Sequence, residues 1–170
     1  LTQIISKEEY TQYVFDEYYV EILNFVLSRI GYDIDLSKDI TQEVFIKAWC
    51  NRMKYNEHKG SIRTWIYTIA RNHLTDYYRS KEKTKFKPES NIDGVIDSFD
   101  LQIEDKEMVQ FVMHKVDNMN EGERELIYLR YIQELSIKEI AIITNRSQVA
   151  IKVAIHRAIK KLRGIIDEEE

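Results

Sequence analysis

Apolar residues recur every three or four positions through most of this chain, the spacing that lines one face of an α-helix. Tyr10, Val14, Tyr18, Ile22 and Phe25 predict a helix over residues 8–30, with Gly31 as its C-terminal stop. Leu36, Ile40, Val44 and Ala48 recur at i+4 and predict a second helix over 36–53 with a buried stripe. The polar stretch Lys54-Tyr-Asn-Glu-His-Lys-Gly60 predicts a loop. Ser61 is placed to cap a third helix by accepting a bond from a free backbone N–H. Ile62, Trp65, Ile66, Ile69 and Leu74 form the apolar face of that helix. The pattern fails near Lys85 and returns near Leu101, with Met108, Val109, Val112 and Val116. Three further helical segments follow, over about 121–133, 136–144 and 147–166. No internal repeat and no convincing strand pair is present. The expected fold is all-α: a helical domain over 1–87, an acidic linker over 88–104, and a second helical domain over 105–170.

Composition adds limits. Charged residues make up 32% and apolar residues 44% of the chain, which suits a globular protein in water. No apolar run approaches the ~18–20 residues that a membrane span needs. The single Cys50 excludes an internal disulfide and suits a reducing cytosol; with no signal-peptide pattern visible, the expectation is a cytoplasmic protein. The four histidines, His58, His73, His114 and His156, are scattered without metal-ligand spacing. No phosphate loop or nucleophile motif appears, so no enzyme, cofactor, metal or small-molecule substrate is expected.

The net charge of −4 argues against a nucleic-acid partner until its distribution is considered. Residues 71–87 carry a net +4, residues 136–163 a net +6, and residues 88–107 between them a net −6. The overall acidity therefore hides two basic patches separated by an acidic stretch.

The second patch has helix-turn-helix spacing. Ser136 is placed to cap a short helix through Thr144, Asn145-Arg146 makes a turn, and Ser147 caps the next helix. Ile140 and Ala141 would pack on Ile151, Ile155, Ala158 and Leu162, leaving Gln148, Lys152, His156, Arg157, Lys160 and Lys161 outward. An ordinary amphipathic hairpin with a solvated basic face would share this pattern. Upstream, Asn120 and Glu123 have the spacing of a capping box.

The string Glu123-Arg-Glu-Leu-Ile-Tyr-Leu-Arg-Tyr-Ile-Gln-Glu-Leu-Ser-Ile-Lys-Glu-Ile-Ala141 resembles region 4 of bacterial sigma factors. The string Asp39-Ile-Thr-Gln-Glu-Val-Phe-Ile-Lys-Ala-Trp49 resembles region 2. With region 2, a short linker and region 4 in order, the chain resembles an extracytoplasmic-function (ECF) sigma factor. The resemblance implies that Asp39, Gln42, Glu43 and Phe45 dock on the clamp helices of core RNA polymerase, although Phe45 also fits a core position. It places Asn56, His58, Lys59, Ser61 and Asn72 at a pocket for an unstacked −10 base, with Arg71, Arg79 and Lys81 on flanking phosphates. Asp76 falls where an acid is usual, Trp65 at a core aromatic, and Tyr77 and Tyr78 fit either base stacking or the domain core.

For the −35 element the resemblance implies the helix from Ser147, with Lys152, Arg157 and Lys160 on phosphates and Arg146, Ser147, Gln148 and His156 completing the set. Region 4 would also touch the polymerase flap. Two departures mark this helix: Ala150 stands where the family usually has Thr, and Val153-Ala154-Ile155 where it often has Ser and Arg. Val149 and Val153 then suit either thymine methyls or the surface of an inhibitor. Met119-Asn120 replaces a usual Leu-Pro. The acidic linker suits passage through a positively charged polymerase channel or a simple disordered tether. An anti-sigma factor, commonly membrane-anchored in the family, is the remaining implied partner. A stand-alone helix-turn-helix regulator is the alternative, but it has no need of a polymerase-docking helix.

Overall fold

The computed structural model describes residues 7–30, 33–82, 116 and 119–167, with side chains for residues 12–30, 33–80, 116 and 119–167. Among them there are α-helices, tighter and wider helical turns, and no strands. The chain divides into two units, Leu1–Pro88 and Glu89–Glu170. The expected linker over 88–104, and the apolar positions Leu101, Met108, Val109 and Val112, lie outside the described residues.

The N-terminal unit is a three-helix assembly of α1 (Lys7–Ile30), α2 (Ile34–Asn51) and α3 (Ile62–Glu82). Asp33 starts α2: its carboxylate accepts from the Leu36 N–H at 3.0 Å. Ser61 starts α3 by accepting from the Thr64 N–H at 3.2 Å. The apolar stripes of all three helices meet in one core. Ile22, Phe25 and Val26 from α1, Val44 from α2, and Ile66, Tyr67, Ala70 and Leu74 from α3 are fully buried. Each large apolar side chain taken from water in this way contributes about 1.5–3 kcal/mol. Phe25 and Tyr67 meet edge to face at 5.1 Å between ring centroids. Glu21 of α1 accepts from Arg63 of α3 at 2.6 Å.

The connection between α2 and α3 is more ordered than its polar sequence suggests. A 3₁₀ turn, Arg52–Lys54, ends α2, and a second, Glu57–Lys59, fills the predicted loop. The Asn56 side chain holds that second turn by accepting from the His58 N–H at 2.9 Å.

The C-terminal unit contains α4 (Glu121–Ile127), α5 (Ile137–Thr144) and α6 (Gln148–Asp167). Asn120 and Glu123 form a reciprocal capping box at α4, and Ser136 and Glu139 form another at α5. The segment expected as helix through residue 133 instead opens into a π turn, Tyr128–Ile132, in which the Gln133 N–H reaches back to the Tyr128 carbonyl at 3.0 Å. Glu134 then takes a left-handed conformation (φ 53°). The wide turn and the reversal bring Leu135 into the core, where it is fully buried and its carbonyl accepts from Arg130 Nη1 at 2.9 Å. Asn145, also left-handed at φ 53°, ends α5. Ile140 and Ala141 are buried, as are Ile151, Ile155, Ala158 and Leu162 of α6. Val116, Met119 and Ile127 pack against Ala158 and Leu162.

Candidate functional site

On α2 the buried stripe of Ile40, Val44 and Ala48 fixes which residues face outward. Asp39, Gln42 and Glu43 are exposed. Phe45 is half-buried and packs within its own unit, with ring centroids 5.1 Å from Phe15 and 6.1 Å from Tyr19. It lines a shallow open cleft together with Phe15, Trp49, Arg52 and Trp65. The Arg52 guanidinium lies 3.9 Å over the Trp49 ring.

Glu43 makes a contact that crosses to α3. His73 Nε2 lies 2.8 Å from Glu43 Oε2, and Lys47 Nζ meets the other ring nitrogen, Nδ1. An ammonium group only donates, so Nδ1 accepts and the neutral ring keeps its proton on Nε2, facing the carboxylate. Burial and the adjacent Lys47 charge hold the His73 pKa below its ordinary 6.5, against the opposite pull of Glu43 and Asp76. Glu43 nonetheless stays 60% exposed, while His73 is 11% exposed. Nothing in the sequence pointed to His73. Its partners lie on the preceding helix, and only the packing of α2 on α3 brings them together.

The expected −10 residues occupy the turn before α3 and the exposed side of α3 itself. His58, Lys59 and Asn72 are exposed, and Arg71 is half-buried. Asn56 and Ser61 flank His58 and Lys59 along the chain with their oxygens engaged, in the 3₁₀ turn and in the α3 cap. Arg71 and Asn72 lie about three turns into α3. Ser61 also shares a 2.9 Å hydrogen bond with the Thr64 hydroxyl. Asp76 lies 3.6 Å from Arg79, one turn along α3. Lys81 belongs to α3, but its side chain lies outside the described residues. Trp65 is half-buried with its ring 5.4 Å from Tyr55. Tyr78 donates its hydroxyl to the Arg29 carbonyl, which ties it to α1.

In the C-terminal unit, Arg146, Ser147, Gln148, Val149, Lys152, Val153, His156, Arg157 and Lys160 are all exposed. All lie in the turn or on the outer faces of α6. The Ser147 hydroxyl accepts from the Ala150 N–H at 3.1 Å and so starts α6. Val149 and Val153 are 72% and 45% exposed, one helical turn apart, beside Lys152. Lys161 donates to Glu123 at 2.8 Å, and this bond is the first cause of the lowered Glu123 pKa. The bond anchors α6 to the start of α4.

Residues 14–84 match the family model of Sigma-70 region 2, and residues 112–162 that of Sigma-70 region 4. The chain is 29% identical over 154 residues to the RNA polymerase sigma factor YlaC of Bacillus subtilis (strain 168), covering 88% of each chain. It is 30% identical over 165 residues to the ECF RNA polymerase sigma factor SigM of the same organism, covering 91% of this chain and 97% of the relative. The chain belongs to the ECF RNA polymerase sigma factors. This sigma factor is accordingly a transcription initiation factor. The fold agrees: it is similar to the sigma factor RpoE solved with the anti-sigma factor NepR from Bartonella quintana, at TM-score 0.70 and 17% identity over 94% of this chain and 98% of that one. It is also similar to CnrH solved with the cytosolic domain of CnrY, at TM-score 0.68 and 21% identity over 94% and 89%. Among the described residues of the sigma factor, no helix is long and apolar enough to cross a membrane.

Proposed function

We propose that the two units divide promoter recognition between them. The N-terminal unit docks on the polymerase clamp helices through Asp39, Gln42 and Glu43, with Phe45 shaping the adjacent cleft. The same unit holds the −10 element: the turn at His58 and Lys59 and the exposed Asn72 receive an unstacked base, and Arg71 and Arg79 take flanking phosphates. The C-terminal unit presents α6 to the −35 element, with Arg146, Gln148 and His156 near base edges and Lys152, Arg157 and Lys160 on phosphates. The observation that carries this reading is the exposure of acid and amide groups on α2 and of basic groups along α6, each set by the buried stripe on the opposite side of its own helix.

The protein works in the cytoplasm with core polymerase and promoter DNA, its region 4 unit also meeting the polymerase flap. An anti-sigma factor is a further partner; RpoE, which shares the fold, was solved with the anti-sigma factor NepR, and CnrH with the cytosolic domain of CnrY. The exposed Val149 and Val153 supply an apolar contact for thymine methyls. In vitro transcription with core polymerase on a random promoter library tests the proposal. The expected outcome is enrichment of start sites preceded by two fixed elements at −35 and −10. Enrichment of only one element would overturn the division between units.

A further inference from the structure

We propose that His73 is a positioning residue for polymerase docking. It holds the Glu43 carboxylate and the Lys47 ammonium in one arrangement on α2, and ties that arrangement to the helix carrying Asn72. The inference rests on the assignment of Glu43 to the docking face.

Glu43 and Lys47 are one helical turn apart on α2. Left to themselves, such surface pairs sample many rotamers and gain little by meeting. Here the imidazole of His73, projected from α3, stands between them. Its Nε2–H donates to Glu43 at 2.8 Å, and its Nδ1 accepts from Lys47. The ring is nearly buried, so it is itself held in place by the packing of α2 on α3. The carboxylate is tied through Oε2 yet remains mostly exposed. A docking group presented in this way has lost its rotamer freedom before the partner arrives, which removes part of the ordering cost of binding.

The arrangement requires the neutral ring. The charged groups that face His73 are Glu43 and Lys47 from α2 and Asp76 from its own helix. Burial and Lys47 outweigh the two carboxylates and keep the ring neutral at neutral pH. Protonation puts a second N–H at Nδ1, against the Lys47 ammonium, where donor meets donor. Lys47 must then leave, which ends the joint arrangement of the two side chains, although the charged ring keeps its Nε2–H on Glu43.

The experiment measures affinity of the full chain for core polymerase in wild type, His73→Ala, His73→Gln, Glu43→Ala and the His73→Ala/Glu43→Ala double variant. His73→Ala should weaken binding roughly five- to tenfold, the scale of losing one ordinary hydrogen bond. His73→Gln keeps a donor near the Nε2 position and should restore most of that loss. In the Glu43→Ala background, His73→Ala should add less than about twofold, because groups that act through one another are not additive. Wild-type affinity should fall between about pH 7.5 and 5.5 more steeply than that of His73→Gln. Wild-type affinity in His73→Ala, or a loss that multiplies in full with Glu43→Ala, would overturn the proposal. Wild-type affinity in Glu43→Ala would overturn the docking assignment itself and the proposal with it. If His73→Ala does not fold, judged by circular dichroism, the His73→Gln pH profile decides: one as steep as wild type overturns the role of the ring.

Discussion

Glu43, Asn72 and Lys152 stand for three kinds of proposed contact, and each yields a distinct measurement. Glu43→Lys replaces an acceptor by an ammonium beside Lys47 and His73. Polymerase affinity should fall on the order of a hundredfold, since like-charge juxtaposition costs several kcal/mol at an interface; fluorescence anisotropy with core polymerase checks it. Asn72→Ala removes an exposed amide from α3. Open-complex formation, followed by permanganate reactivity of unpaired thymines, should drop more than tenfold while polymerase affinity changes less than about twofold. Lys152→Ala should weaken DNA binding across sequences and lower the slope of log K against log salt by roughly one, as expected for a single phosphate contact. The caps at Ser61, Asn120 and Ser147 were legible in the sequence because a cap and its partner lie within three residues. The His73 bridge and the Lys161–Glu123 bond were not, because each joins residues brought together only by helix packing.

At the scale of elements, α5 and its turn offer the clearest test. Ser136 and Glu139 satisfy each other's backbone donors at the start of α5. Ser136→Ala should lower the stability of the C-terminal unit by about 1 kcal/mol, read from urea unfolding. Asn145 holds a left-handed conformation that Gly adopts freely and that a β-branched residue resists. Asn145→Gly should therefore change stability little, and Asn145→Val should cost more than about 1 kcal/mol and loosen the turn before α6. The existence and faces of α1, α2, α3, α5 and α6 could be read from apolar spacing, because those stripes are long or strongly one-sided. The π turn at Tyr128–Ile132 could not. Leu126, Ile127 and Leu129 fit an unbroken helix equally well, and the turn exists to deliver Leu135 to a core built from distant residues.

For the whole molecule, the division into two units predicts that the response to His73 protonation is confined to one of them. The folded-state pKa of His73 lies below the ordinary value of 6.5. The unfolded chain therefore takes up a proton first as pH falls, and stability contributed by the neutral ring is full above about 6.5 and lost on the way down to the folded pKa. The N-terminal unit should lose melting temperature through that window, His73→Gln should flatten the loss, and the transition of the C-terminal unit should be unmoved by the substitution; calorimetry from pH 7.5 to 5 reads all three. The two helical units were legible from the break in apolar spacing near Lys85, whereas the aromatic cleft around Phe45 was not, since Phe15 and Trp65 reach it from other helices.

That the two units share one chain also bears on how α6 can work with so few hydrogen-bonding side chains between Ala150 and Ala154. Under the proposed division of roles, once polymerase and the −10 element hold the N-terminal unit, the second unit would meet DNA at an effective local concentration on the order of millimolar. Avidity then replaces intrinsic affinity. On that assignment, a reading helix too weak to find its site alone would still occupy it after the first unit has arrived, and would let go when the polymerase moves away from the start site.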